Sequence, residues 1–377
     1  MIRKQKHLFY IILALIIAYP VFMTALPGCG GGGGGGFTVT PAPTFTSVPQ
    51  TPAPEPESGV KYAYVSAIDE DCVYVFDADN FTFVTKMTGL SMADQMCFSK
   101  STKRTDGGPK YLYVANFTDV KRFNLSTQAR DTDWVSPCGI AIGNVQITPD
   151  DKYLYAVDGV GSGPKIMVVN VDTESEVSTS PIVMPVGSTL TNVSITPDGS
   201  KLVVGDSGFG PPAGYHIPLV RASDNTIYAT ILTLLGRTSQ AFTHPNGSYA
   251  YVVMPWSNKV AIVNINTQSV AGTVDVGAYP FYMVISPDGN YGYVTNCNDS
   301  TISVLQLNGA EATEILPRIA APDINGSSGI SADGKYLWIP GYDKIYVVDT
   351  TTKLIVKTLE GPLPSDGYVG FAHVLVE

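Results

Sequence analysis

A strand-like tetrapeptide recurs seven times along the chain and limits the possible folds more than any other feature. The copies are Tyr62-Ala63-Tyr64-Val65, Tyr111-Leu112-Tyr113-Val114, Tyr153-Leu154-Tyr155-Ala156, Lys201-Leu202-Val203-Val204, Tyr249-Ala250-Tyr251-Val252, Tyr291-Gly292-Tyr293-Val294 and Tyr336-Leu337-Trp338-Ile339. With the third residue of each as anchor, successive spacings are 49, 42, 48, 48, 42 and 45 residues. A period of this length marks a repeat architecture, in which each unit buries its faces only against its neighbours. One further period would run past Glu377, so seven units are expected.

Each copy has the same internal grammar. Most are introduced by a tight turn, as in Thr148-Pro149-Asp150-Asp151, Thr196-Pro197-Asp198-Gly199, His244-Pro245-Asn246-Gly247, Ser286-Pro287-Asp288-Gly289 and Ala332-Asp333-Gly334. Proline fixes φ there, and Gly or Asn tolerates a positive φ. A second apolar run follows the anchor, then a polar turn, a third strand such as residues 271–276 or 354–359, and a fourth leading into the next turn. Charged residues are only 15% of the chain, a balance that favours strands and turns. Four short antiparallel strands per period predict an all-β chain: a seven-bladed β-propeller of four-stranded blades over residues 61–377.

Tyr293-Val294-Thr295-Asn296, preceded by Ile285-Ser286-Pro287-Asp288-Gly289, resembles the YVTN family of β-propeller repeats. The resemblance spans residues 61–377 and is strongest over 144–349. Blade 2 departs from it, with Lys100-Ser101-Thr102-Lys103-Arg104 and Asp106-Gly107-Gly108 in place of the Pro-Asp-Gly turn, and blade 4 carries a long loop over 207–216. The resemblance implies the fold. Its functional implications are broad, since relatives include surface-layer proteins, periplasmic proteins and propellers attached to redox enzymes. In that family the strand before the Pro-Asp-Gly turn is innermost, so blade 1, entered at Tyr62, lacks its inner strand. Residues 368–376 are expected to supply it, so that the C-terminal strand pairs with the first blade and closes the ring.

Upstream of the repeats, Arg3, Lys4 and Lys6 precede an apolar run over residues 8–26, the pattern of an export signal. Leu26-Pro27-Gly28-Cys29 resembles the lipobox of bacterial lipoproteins and implies lipidation at Cys29, with Pro27 the departure. Seven glycines and a Thr/Pro/Ser-rich stretch follow, neither able to bury a core. The expected organisation is a signal peptide over 1–28, a lipidated tether over 29–60 and the propeller over 61–377, exported and lipid-anchored to a bacterial membrane on its periplasmic side or at the cell surface. Formal charge is −10, and −13 without the three leader cations. Such a surface repels phosphate backbones and anionic lipids, so nucleic acid is not an expected partner and the membrane is met only through the lipid.

Motifs for chemistry are sparse. Gly205-Asp206-Ser207-Gly208 is similar to a protease nucleophile segment but falls in a blade loop. The glycine-rich stretch ending at Lys165 leads into a strand, whereas a phosphate loop opens a helix. His216, His244 and His373 are scattered, no CxxCH is present, and the acidic runs 69–71 and 77–79 lack EF-hand spacing. No catalytic, cofactor or metal residue is nominated. Cys72, Cys97, Cys138 and Cys297 allow three disulfide pairings or free thiols.

Repeat logic places any binding face three residues after each anchor, where the loops open. Asn116, Asp158, Asp206 and Asn296 occupy that position in four blades, with Trp256 and Tyr342 just beyond it in two others. They are expected around the mouth of the central channel, where the two aspartates favour a cationic or hydroxyl-rich ligand. Capping of turns is the competing role for the four Asn and Asp residues. The expected function is a non-catalytic, lipid-tethered scaffold that binds a protein, glycan or small ligand at the envelope. The alternative is a lactonase-like or quinoprotein-like enzyme or redox subunit.

Overall fold

In the computed structural model, residues 61–377 are described apart from 118, 132–141, 159–162, 211–213, 234, 325, 343 and 361–370. Cys29, the leader, the tether, Cys138 and residues 159–162 lie outside the described residues.

The recurring tetrapeptides form the second strand of each blade. They begin at Tyr62–Ala67, Tyr111–Ala115, Tyr153–Asp158, Lys201–Asp206, Tyr249–Met254, Tyr291–Asn296 and Tyr336–Pro340. Side chains alternate across a strand, and here that alternation assembles the ring. Tyr64, Tyr113, Tyr155, Val203, Tyr251, Tyr293 and Trp338, the seven anchors, each enter the apolar layer shared with the following blade. Their flanking residues, such as Ala63 and Val65 or Leu154 and Ala156, enter the layer shared with the preceding one. Seven interblade layers result, each shared by two neighbouring blades.

Blade 1 is completed from the far end of the sequence. Phe371–Val376 pairs antiparallel with Tyr62–Ala67, in register from Ala63 opposite Val376, and becomes the innermost strand. The inner strands then contact one another in sequence around the ring, from blade 1 through blade 7 and back. In every blade the residue ending the inner strand donates its N–H to the carbonyl of the first residue of the second strand, from Ser99 to Tyr111 through Glu377 to Tyr62. That shared bond defines an equivalent position in all seven blades: Ser99, Thr148, Thr196, His244, Ser286, Ser331 and Glu377.

Ser99 donates its hydroxyl to the Thr102 carbonyl. In blades 3, 4, 6 and 7 the Thr or Ser hydroxyl at this position donates to the turn aspartate and accepts the N–H of the next strand, as Thr196 does with Asp198 and Lys201. These contacts hold the Asp198 carboxyl down at about 2. Gly199, Gly289 and Gly334 close their turns with φ of 72°, 76° and 74°. Asp151 holds the same left-handed conformation at φ 60° without being glycine. Its carboxylate accepts the N–H groups of Lys100, Ser101 and Thr102, which pins the long turn of blade 2 to blade 3.

That turn is therefore not an open basic patch. Arg104 is buried and forks onto Glu377 with two hydrogen bonds of 2.7 Å, while also pairing with Asp106. The Tyr64 hydroxyl donates to the same Glu377 carboxylate at 3.0 Å. Burial works against the Arg104 charge, but Glu377 and Asp106 outweigh it and hold the guanidinium firmly protonated. The clasp binds the closing strand of blade 1 to blade 2.

Cys72, Cys97 and Cys297 are free thiols, and burial pushes each up to about 12. A thiol in that state is a small packing residue rather than a nucleophile.

Candidate functional site

Two surfaces of the propeller are built from its loops and inner strands: the face where the inner strands begin, and the channel they enclose.

On the loop face, the four polar residues singled out by the repeat are turned into their own loops. Asn116 accepts the Ser91 N–H and donates to Asp119. One oxygen of Asp206 accepts the N–H groups of Thr189 and Gly208, and the residue is wholly buried. Asn296, equally buried, donates to Thr301 and Ser303. Asp158 is buried with the Lys165 ammonium 3.9 Å away. The Gly205–Gly208 segment packs so tightly that a Cβ on Gly208 would lie 1.9 Å from the Gly187 carbonyl oxygen. The side chains that reach solvent are the aromatic ones beyond these positions, Trp256 at 45% exposure and Tyr342 at 43%.

Trp256 sits in a short 3-10 turn, Pro255–Ser257, and is the centre of a small platform. The Arg237 guanidinium lies 4.1 Å from its ring centroid, and Tyr279 meets its edge with centroids 5.6 Å apart. Arg237 is held in place by a hydrogen bond from its Nε to the Ser207 carbonyl. Leu235, also exposed, belongs to the loop that accepts a hydrogen bond from Ser257. Three blades thus converge on one patch of aromatic, guanidinium and aliphatic surface.

The lining of the channel was not anticipated. Four residues before the equivalent turn position, the seven inner strands carry Gln95, Asn144, Asn192, Gln240, Tyr282, Ser327 and His373. These form a polar girdle at one level, with a recurring task. The inner strand has no neighbour on its channel side, so its inward N–H groups need acceptors. Asn144 Oδ1 accepts the Val193 N–H of the next blade, Asn192 Oδ1 accepts that of Ala241, and His373 Nδ1 accepts that of Met96. Between blades 7 and 1 the Ser327 carbonyl does the same for Val374. Gln95 instead accepts from Asn144 Nδ2 at 2.6 Å.

Because His373 Nδ1 is an acceptor, its proton resides on Nε2, which lies 3.3 Å from the Tyr282 hydroxyl. Tyr282 belongs to blade 6 and reaches blade 1 across blade 7, whose residues at this level are the small Ser327, Ser328 and Gly329. Phe242 braces it edge-on at 4.7 Å. Burial drives the His373 pKa down to about 3 and the Tyr282 pKa up, so both are neutral. One residue above the girdle, on the loop-face side, stands Asp94. Its carboxylate has no hydrogen-bond or ion-pair partner among the described residues, and burial raises its pKa to about 7. The signal for the girdle lay in the repeat itself, in the polar residue set back four from each turn. Asp94 had none, because the position is polar or small in most blades.

Two grooves open on the opposite face, of about 730 Å³ beside Tyr153, Arg221 and Tyr228, and about 690 Å³ beside Tyr291, Tyr293 and Lys353. The first is lined by blades 3, 4 and 5 and the second by blades 6 and 7.

Neither a family profile nor a curated protein matches the chain. Solved structures do. A functionally unknown protein from Desulfotomaculum acetoxidans aligns over 83% of this chain and 99% of its own, at 15% identity and a TM-score of 0.64. A Bacteroides fragilis protein named provisionally as a 6-phosphogluconolactonase aligns over 85% and 99%, at 13% identity and 0.65. The dihydro-haem d1 dehydrogenase NirN aligns over 84% of this chain and 67% of its own, at 17% identity and 0.59. What the chain shares with them is the propeller fold. At such identities, activity does not transfer with the fold.

Proposed function

We propose that the protein is a non-catalytic, lipid-tethered propeller of the bacterial envelope that captures a partner through its loop face. The observation that carries this reading is the Trp256 platform. Trp, Tyr and Arg together, half-exposed on a rigid scaffold, are the residue types that dominate binding hot spots, and here they are pre-ordered by Arg237 and Tyr279. The lipobox-like Leu26–Cys29 segment and the glycine-rich stretch support tethering through Cys29. The YVTN-like repeat is compatible with such a role.

The test compares capture from envelope extracts by the wild-type chain, Trp256→Ala and, on the opposite face, Tyr291→Ala. Loss of the same captured species in Trp256→Ala alone supports the reading. Equal capture by all three, or loss only with Tyr291→Ala, rejects the loop face. Tethering is tested separately by fatty-acid labelling, which should mark the wild type and spare Cys29→Ser.

A further inference from the structure

We propose that the loop-face end of the central channel is a binding site for a small organic ammonium ion, held by the Asp94 carboxylate. The site is separate from the Trp256 platform and does not depend on it. The loop bearing Asp94 is fixed in four places. The Met92 N–H donates to Asp71 at 2.7 Å, the Ser91 N–H to Asn116 at 2.5 Å, the Asp94 N–H to the Ala115 carbonyl at 3.0 Å, and the Ala115 N–H returns to Gln95 at 2.9 Å. A carboxylate set rigidly into a channel wall without a partner carries an unmet need for positive charge.

Gly143 on the adjacent blade lies beside it, where a Cβ would come within 3.7 Å of Asp94 Oδ2 and a larger side chain would cover the carboxylate. Beneath lies the polar girdle of the channel, whose His373 accepts the Met96 N–H two residues from Asp94. The Tyr282–Phe242 pair belongs to that level and adds an aromatic wall. The ligand-binding groups are therefore one carboxylate and, on the level beneath, aromatic rings, which suits a single positive charge on an N–H-bearing ligand. It does not suit a multivalent metal, since the described residues hold no group of three or more His, Cys, Asp or Glu side chains. The acidic surface of the whole protein draws cations toward the mouth. Besides Asp94, the titratable groups facing this space are His373 and Tyr282, both neutral, with Asp71 and the Asp119–Lys121 pair on the surrounding loops.

The experiment is calorimetric titration of the full chain with propylammonium chloride at about pH 8.5, where an ordinary carboxylate is ionised and the amine remains charged. Saturable binding is expected, weakened by roughly tenfold or more in Asp94→Asn and in Gly143→Leu, and unchanged in Trp256→Ala. Asp94→Asn should fold at least as stably as the wild type, since it removes an unpartnered charge, and Gly143→Leu blocks the space while leaving that charge in place. Binding should also weaken at about pH 5.5, below the point at which Asp94 ionises. Absence of saturable binding at the higher pH, or full binding by Asp94→Asn, overturns the proposal. So does Asp94-dependent binding of calcium chloride that excludes the amine, because the site would then be a metal site.

Discussion

Two groups in one channel, a histidine and a carboxyl whose uncharged forms burial favours, should give the propeller a pH dependence that is hidden until one of them is removed. His373 has a folded pKa of about 3 against an ordinary value of 6.5. Its contribution is fully present above pH 6.5 and is lost as pH falls toward the folded value, because only the unfolded chain accepts the proton. Asp94 has the opposite sign. Its folded pKa of about 7 lies above the ordinary 3.8, so its contribution is present below pH 3.8 and is lost as pH rises toward 7. Across the overlap each group changes stability by about 1.4 kcal/mol per pH unit, in opposite directions. Between about pH 4.5 and 6.5 that is about 2.7 kcal/mol each way, an upper bound for Asp94, which is partly exposed to channel solvent that screens it.

The perturbations are Asp94→Asn and His373→Asn. Asparagine already performs the His373 task in blades 3 and 4, where Asn144 and Asn192 accept the N–H of the next blade, so the second variant keeps the acceptor while removing the titration. The assay is denaturant unfolding across this pH range, each variant read as its difference from wild type. Asp94→Asn should gain stability relative to wild type as pH rises, and His373→Asn should gain it as pH falls. The turn aspartates with lowered pKa values cancel in the differences. If both differences are flat with pH, the two groups do not sit desolvated in the channel and the account is wrong.

Other consequences can be checked with the same unfolding assay. Arg104→Ala leaves Glu377 buried beside Tyr64 and should cost about 3–5 kcal/mol, whereas Arg104→Met combined with Glu377→Met should cost less than that single change. Asp151→Gly relieves a left-handed residue by about 1 kcal/mol but removes the acceptor of three N–H groups, so a net loss of about 2 kcal/mol or more is expected, and a gain would show that backbone strain dominates. Asp206→Ala orphans the Thr189 and Gly208 N–H groups and should lose about 2–4 kcal/mol, with Asp206→Asn losing less; a silent Asp206→Ala would return that carboxylate to the list of ligand contacts.

The ring was legible because its assembly rule is local. Alternation along a strand sends Tyr64 or Trp338 to one neighbour and Ala63 or Leu337 to the other, and a period repeated seven times can be read without knowing any contact. Closure was legible for the same reason, as a missing inner strand at one end and a spare strand at the other. The polar loop positions were found but their direction was not. A sequence cannot distinguish an Asp that faces solvent from one, like Asp206, that accepts two N–H groups of a loop folded over it. Arg104 read as part of a basic turn because its partner, Glu377, lies 273 residues away. Asp94 was missed because its singularity is an absence of partners, which appears only once the seven inner strands surround it.

Closure by Phe371–Val376 also bears on the order in which the ring can be completed. Ser66 meets the carbonyl of His373 across 307 residues of chain, so the first blade, although its three outer strands pair with one another, lacks its inner strand until the last strand has been delivered. Blades 2 to 7 are built from hairpins of adjacent strands and can form in order as the chain emerges, whereas joining such distant segments is slow. Until then the topology of the ring leaves the inner edge of blade 1 open, and commitment to the closed propeller falls to Phe371–Val376.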